Sequence, residues 1–193
     1  MNRKTLKGTK TRENLMKAFA GESMARNRYT IFASIAKKEG HTIISEIFLE
    51  TAQNEKEHAE IYYKYLDGED IEINKSKYPT CYGDTKANLK CAVKGEYEEN
   101  EHIYPEFGDI AKEEGFEEIA QSFYNIASIE KHHAERYADL LNKLNNETIY
   151  KREEKTEWRC SHCGFVAEDN TPPEKCPVCS KTKDYYTLNY KIL

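Results

Sequence analysis

The sequence predicts a mainly α chain: a four-helix bundle followed by a small metal-binding module of strands and loops. Three observations predict it. The motif Glu-x-x-His occurs twice, as Glu55-Lys56-Glu57-His58 and as Glu130-Lys131-His132-His133. Each copy falls at the same point of an internal repeat that spans most of the chain. Beyond the repeat, Cys160-x-x-Cys163 and Cys176-x-x-Cys179 have the spacing of paired metal knuckles.

The repeat places the helices. Gly21-Glu22 matches Gly95-Glu96 at an offset of 74, whereas Ile35–Gly40 matches Ile110–Gly115 at 75. The larger offset carries Glu55 onto Glu130 and His58 onto His133, and pairs Tyr29 with Tyr104. This is a duplicated helical hairpin, with Gly40 and Gly115 standing where each first helix should end. The four helices are expected at about Thr11–Glu39, His41–Leu66, Thr85–Glu114 and Phe116–Asn145. The connection Asp67–Asp84, with Gly68, Pro79 and Gly83, is long enough to cross the bundle, as in ferritin-like topologies. Leu15, Phe19, Ile31, Ile35, Ile44, Ile47 and Phe48 recur at helical spacing and are assigned to core packing.

The change of offset puts one extra residue between Glu96 and Tyr104. A single insertion in an α-helix is commonly absorbed as a π-bulge, and such bulges are frequent at functional sites. Pro105 follows and disfavours regular continuation. Glu99 lies inside this stretch, opposite Ala25 or Met24 of the first half. The second half therefore offers one carboxylate that the first lacks.

With 193 residues the chain holds one full domain and a small second one, drawn at 1–150 and 151–193. Its 29 Lys and Arg against 34 Asp and Glu give a net charge of −5, spread along the chain. That argues against nucleic acid or an anionic membrane as the main partner, since both call for clustered cations. No apolar run approaches the roughly 20 residues of a membrane span, and the Met1–Lys7 start lacks the apolar stretch of a secretory signal. The expected compartment is the cytoplasm. Cys81 and Cys91 stand apart from the knuckles and are read as small, partly buried apolar residues rather than as a disulfide.

Residues three apart on a helix share a face, so each Glu-x-x-His projects a carboxylate and an imidazole together. Joined by a glutamate from each of two other helices, they form the ligand set of a di-iron or di-manganese carboxylate site. By the repeat, Glu22 with His58 serves one metal and Glu96 with His133 the other, bridged by Glu55 and Glu130. Four carboxylates neutralise two divalent ions, which answers the cost of placing acids in a core, and suit iron or manganese better than soft metals. Glu57, Glu60, Glu98, Glu101 and Glu135 are assigned to solvated faces. His132 falls off the ligand face, and His102 has no partner in the other half. Glu99 is a seventh candidate, either an outer-sphere acid or a ligand in one oxidation state only. Ferric iron is harder than ferrous, so exchange of His58 for Glu99 on oxidation is chemically reasonable. Tyr29 and Tyr104 either hydrogen-bond these carboxylates or simply pack in the core.

After the charged stretch Lys151–Lys155, the four cysteines offer tetrahedral thiolate coordination, which fits structural zinc or a single redox iron on geometry alone. So short a segment needs metal for much of its folding energy. Gly164 and the aromatics Trp158, Phe165, Tyr185 and Tyr186 favour the iron version.

The motifs Ala20-Gly21-Glu22-Ser23-x-Ala25-Arg26-Asn27-Arg28-Tyr29, Glu55-x-x-His58-Ala59, Gly95-Glu96-x-x-Glu99, Tyr104-Pro105, Glu130-x-x-His133 and the four-cysteine module stand together here. In them the sequence resembles the rubrerythrin family over nearly its whole length. The resemblance implies a ferritin-like bundle holding a non-haem di-iron site and a rubredoxin-like domain holding one iron. It carries the di-iron ligands onto Glu22, Glu55, His58, Glu96, Glu99, Glu130 and His133, and the single-iron ligands onto Cys160, Cys163, Cys176 and Cys179. It also implies redox-linked exchange between His58 and Glu99, and reduction of hydrogen peroxide to water. Electrons would come through the rubredoxin-like iron from a reductase chain fed by NAD(P)H or from a rubredoxin. A homodimer or larger homo-oligomer, defending an oxygen-sensitive cell against peroxide, is expected. Ser180 departs from the pattern, since rubredoxins carry glycine there, and a side chain would bear on the amide bonds that tune the potential. Two competing classes are a ferroxidase or iron store, which needs subunit faces that build a shell, and a zinc-ribbon protein with the bundle as spacer.

Overall fold

The computed structural model describes residues 5–66, 68–74 and 76–189. The first four residues, Asp67 at the head of the expected crossing connection, and the last four residues of the expected second domain lie outside the described residues. Five α-helices and three short strands make up the rest: α1 (Lys10–Lys38), α2 (Thr42–Tyr63), α3 (Thr85–Glu98), α4 (Tyr104–Glu113), α5 (Glu117–Asn145), then β1 (Thr156–Cys160), β2 (Val166–Asp169) and β3 (Tyr186–Leu188).

The duplicated sequence folds into duplicated hairpins. Gly40 and Gly115 adopt φ of 80° and 76°, the left-handed region that ends a helix without a Cβ penalty. The next amides, His41 N and Phe116 N, donate back to Ala36 O and Ala111 O at 2.8 Å each, closing both helix ends alike. The ends of the halves are then tied to each other. Glu39 accepts from the amide and hydroxyl of Thr85 at 2.9 and 2.6 Å, and Glu114 accepts from those of Thr11 at 2.8 and 2.6 Å. So α3 begins where α1 stops, and α1 begins where α4 stops. Since α2 climbs back along α1, the segment after Tyr63 must return along the bundle before Thr85, a length of about 40 Å for helices of this size. The crossing connection is real.

Third-helix geometry follows the offset change. The segment Glu99–Ile103 is a π-helical turn between α3 and α4, and Pro105 sits in the first turn of α4, where its missing amide donor does no harm. The second helix stops at Tyr63 rather than at Leu66, with the last residues in a turn. The core is two clusters. One gathers Tyr29, Phe32, Phe48 and Tyr137; the other gathers Leu15, Tyr62, Tyr104 and Phe123. Glu22, Glu55, Glu96 and Glu130 each fall in sequence between a member of one cluster and a member of the other.

Two expectations are corrected. Ile31 is 46% exposed; Tyr29, Phe32 and Ala36 hold the inner stripe of α1, and Ile31 lies on the outer one. Cys81 and Cys91 form a disulfide, with Cα atoms 6.4 Å apart. The returning connection brings Cys81 beside the second turn of α3, a proximity that only the crossing path creates. Both cysteines are partly buried against the core, as expected of them.

The C-terminal strands form an antiparallel sheet of order β2-β1-β3 around buried Trp158, Cys160, Cys176 and Tyr186. Trp158 Nε1 donates to Asp169 O at 3.0 Å, and the Arg152 guanidinium stacks 5.1 Å from the indole. Asp184 joins this module to the bundle: its carboxylate accepts from Thr42 Oγ1 at 3.2 Å and its carbonyl from Tyr150 Oη at 3.3 Å.

Candidate metal centres

The Glu-x-x-His spacing does what the helix period requires. His58 Nδ1 lies 3.0 Å from Glu55 Oε2 on its own helix and 2.9 Å from Glu130 Oε1 on α5. His133 Nδ1 lies 2.7 Å from Glu130 Oε2 and 3.3 Å from Glu55 Oε1 across the bundle. The imidazole planes face each other, 6.0 Å between centroids. Ligand atoms of Glu22, Glu55, His58 and Glu130 lie within 4.8 Å of one another, and so do those of Glu55, Glu96, Glu130 and His133. The two groups share Glu55 and Glu130. All six residues are buried, the four glutamates nearly completely.

Two tyrosines brace the outer carboxylates in mirror fashion. Tyr104 Oη donates to Glu22 Oε1 at 2.6 Å, and Tyr29 Oη donates to Glu96 Oε1. Each tyrosine belongs to the half opposite its glutamate. Burial, then the neighbouring carboxylates Glu96 and Glu22 respectively, pushes both phenols well above their ordinary range, so they act as fixed donors.

Packing so many acids together is electrostatically strained without cations. Burial, then the charge of Glu55, raises the carboxyls of Glu22 and Glu96 well above the usual range. Burial and then Glu130 do the same to Glu99. Burial also opposes ionisation of Glu55, but the imidazoles of His133 and His58 outweigh it and hold that group at about 2. Conversely, burial opposes protonation of the histidines, yet the carboxylates raise His58 to about 9 and His133 to about 12. Glu22 Oε2 and Glu96 Oε2 are buried oxygens without a hydrogen-bond partner, and Glu55 Oε1 and Glu130 Oε1 face only a histidine nitrogen that each shares with another carboxylate. Such orphaned acceptors are costly in a core, and a pair of hard divalent cations between them would satisfy all four. The residues fit a two-metal carboxylate centre.

Glu99, in the π turn, stands outside both groups and keeps some exposure to a cavity of about 840 Å³ that it lines with Gly21 and Tyr104. His102 is exposed, and His132 is 77% exposed beside Glu135; neither joins the cluster. Tyr62 and Tyr137 were not singled out from the sequence. Both are buried, packed against Tyr104 and Tyr29 respectively, and both feel the site's carboxylates. Their signal was available: they match at the offset of 75 and follow each motif histidine by four residues, one helical turn.

In the second cluster the four Sγ atoms of Cys160, Cys163, Cys176 and Cys179 also fall within 4.8 Å of one another. Two matching knuckles aim them. Gly164 N donates to Cys160 O at 2.8 Å, and Ser180 N to Cys176 O at 2.9 Å. Burial opposes ionisation of Cys176, but the amides of Cys179 and Val178 outweigh it and bring the thiol down to about 6. A thiolate set of this kind takes a tetrahedral metal.

The rubrerythrin family profile matches residues 13–141, and the rubredoxin-like domain of rubrerythrin matches residues 158–187. This chain belongs to the rubrerythrin family. Rubrerythrin-1 of Clostridium acetobutylicum is 49% identical over 189 residues, which cover 96% of this chain and 97% of the relative. Rubrerythrin of Nitratidesulfovibrio vulgaris is 45% identical over 185 residues, with 96% and 97% covered. Nigerythrin, solved in a mixed-valent state, shares the fold with a TM-score of 0.63 at 31% identity, over 97% of this chain and 90% of that one. A ferritin-like bundle with a di-iron site, followed by a rubredoxin-like single-iron site, is therefore the architecture and cofactor set of this chain. No described helix is long and apolar enough to cross a membrane.

Proposed function

We propose that this rubrerythrin-family chain is a cytoplasmic peroxidase that reduces hydrogen peroxide to water, with electrons relayed through the four-cysteine iron. The observation that carries the reading is the pair of carboxylate–histidine groups sharing Glu55 and Glu130, with a seventh carboxylate, Glu99, in reserve beside an open cavity. In this reading Glu22, His58 and the shared glutamates hold one iron, and Glu96, His133 and the shared glutamates hold the other. A ferrous pair held there would supply the two electrons that cleavage of the O–O bond requires.

The chain's own residues do the rest. Tyr104 and Tyr29 keep Glu22 and Glu96 turned toward the metals by hydrogen bonds from opposite halves. The aromatic clusters on either side exclude bulk water. Glu99 would replace His58 if the harder ferric state formed, and the π turn supplies this extra acid at the cavity wall. Cys160, Cys163, Cys176 and Cys179 hold the relay iron in a unit taken as residues 151–193, against a bundle unit of 1–150. A homodimer or larger homo-oligomer, a rubredoxin or NAD(P)H-fed reductase as donor, and a role in oxidative-stress defence complete the reading.

The test is anaerobic stopped-flow absorbance on the reduced, iron-loaded protein, mixed with peroxide and with oxygen in parallel. Much faster return of the ferric-thiolate colour with peroxide supports a peroxidase with coupled sites. Equal or faster reoxidation by oxygen points instead to an oxidase or ferroxidase.

A further inference from the structure

Cys81 and Cys91 belong to neither metal centre, yet both line the cavity that reaches Gly21, Glu99 and Tyr104. Their Cα separation of 6.4 Å suits a disulfide. Anchoring the chain does not require it. Between the two cysteines, Asp84 caps α3 through Ala87 N at 2.8 Å. Gly83 and Asn88 exchange two bonds, at 3.0 and 2.8 Å, and Glu39 holds Thr85 from the end of α1. The native path of this segment is thus held by hydrogen bonds of its own.

What the crosslink does fix is the wall of the cavity. Three residues before Cys81, Tyr78 reaches back to α1, donating to Lys17 O at 3.2 Å. Its ring lies 3.7 Å from where a Cβ on Gly21 would stand, and Glu99 Oε1 lies 4.0 Å from that same point. Tyr78 and Glu99 thus flank Gly21 in the cavity wall, and Cys81 pins the segment that carries Tyr78 to α3. A small oxidant entering the cavity meets the cysteine pair on the same surface as the metal-site acid.

We infer that Cys81 and Cys91 are a reversible thiol–disulfide couple, a second peroxide-reactive site whose crosslink sets where Tyr78 stands in the cavity wall beside Glu99. It rests on the peroxidase reading only for the identity of the oxidant. One thiol gives up its proton and attacks hydrogen peroxide as the thiolate; the O–O bond breaks, a sulfenic acid forms, and the departing hydroxide takes that proton and leaves as water. The second thiol displaces the hydroxyl of the sulfenic acid, making the S–S bond and a second water. The two thiols lose two electrons, and peroxide gains them. A dithiol reverses the step by exchange, becoming a disulfide itself and returning both thiols.

The experiment uses the full-length, iron-loaded protein under anaerobic conditions. It is treated with dithiothreitol, freed of it, and titrated with hydrogen peroxide, and thiols are mapped by differential alkylation and peptide mass. Cys81 and Cys91 should be alkylated together after dithiothreitol and protected together after peroxide. In parallel, the rate of di-iron reoxidation by peroxide should differ severalfold between the thiol and disulfide forms. In a Cys81→Ser, Cys91→Ser double variant it should not change with dithiothreitol. A crosslink that resists dithiothreitol in the folded protein, thiols that peroxide leaves free, or a reactive di-iron site with equal rates in the two forms would each overturn the inference. So would a double variant that keeps the dithiothreitol dependence. Thiol mapping does not depend on the iron chemistry, so failure of the peroxidase reading would show separately, as an unreactive di-iron site in both forms.

Discussion

The carboxylate of Glu114, at the end of α4 in the second half, caps the start of the first half through Thr11. It accepts from the backbone amide of Thr11 at 2.8 Å and its hydroxyl at 2.6 Å, and from Lys10 N at 3.1 Å. These are orphan donors of the first turn of α1. Replacing Glu114 by Ala should destabilise the bundle by about 1–2 kcal/mol, and Glu39→Ala should do the same through Thr85. Urea midpoints of the two variants test this, and a midpoint unchanged in either would show that the repeat does not carry the cap.

The same contact predicts a pH dependence. Burial alone would raise Glu114, but the Thr11 hydroxyl and the amides of Thr11 and Lys10 outweigh it, and the group sits below its ordinary 4.5. A depressed folded value means that the native state binds fewer protons, so the contribution is complete above the unfolded value and is lost as pH falls through the folded one. The stability gap between wild type and Glu114→Ala should therefore hold at neutral pH and narrow in acid below 4.5. A gap that widens in acid would contradict this sign.

Tyr104→Phe and Tyr29→Phe delete hydroxyls without changing packing. If those donors orient Glu22 and Glu96, each variant should lose about 10- to 100-fold in metal affinity or turnover. Iron-binding titration beside peroxide kinetics separates the two effects. Full activity in both variants would reduce these tyrosines to core packing.

Gly108 lies under the ring of Tyr124, where an added Cβ would come 2.4 Å from Cε1. The ring cannot swing freely, because Tyr124 Oη is held by Asp109 Oδ1 at 2.6 Å. Gly108→Ala should cost about 1–3 kcal/mol by overpacking, and adding Tyr124→Ala should remove most of that penalty. A double-mutant cycle in denaturant gives the answer.

Ser180 adopts φ of 59° at a knuckle where Gly164 adopts 81°. A left-handed serine is strained by about 1 kcal/mol or more. Ser180→Gly should make the cysteine module release its metal at a higher denaturant concentration, read from the loss of ferric-thiolate colour. Earlier release would show that the serine side chain contributes more than its backbone strain removes.

Much of this was legible beforehand because helices write their period and their ends into sequence. Gly40 and Gly115 marked two helix ends, and a one-residue change of offset located the π turn. The six residues of the buried carboxylate–histidine cluster followed from registering the two halves. Ile31 was misassigned because an apolar residue on an amphipathic helix does not reveal by itself which side of the stripe it occupies. The Cys81–Cys91 contact depends on the return path of the connection, which no local pattern encodes. Tyr62 and Tyr137 are ambiguous by residue type, since tyrosine is common at surfaces as well as in cores, and only the same registration of the halves singles them out.

The crossed tyrosines have a consequence for how such a fold can arise. Each hairpin lends its phenol to the other hairpin's glutamate, and each lends an acid to cap the other's leading helix. Neither half is self-sufficient, but two copies of a single hairpin, related by a two-fold axis, would satisfy every one of these reciprocal contacts. The bundle has the internal logic of a homodimer written into one chain. A single chain also lets the two hairpins differ in sequence. Glu99 exists on one side only, so the two metal positions, equivalent in any symmetric ancestor, are chemically distinguishable here.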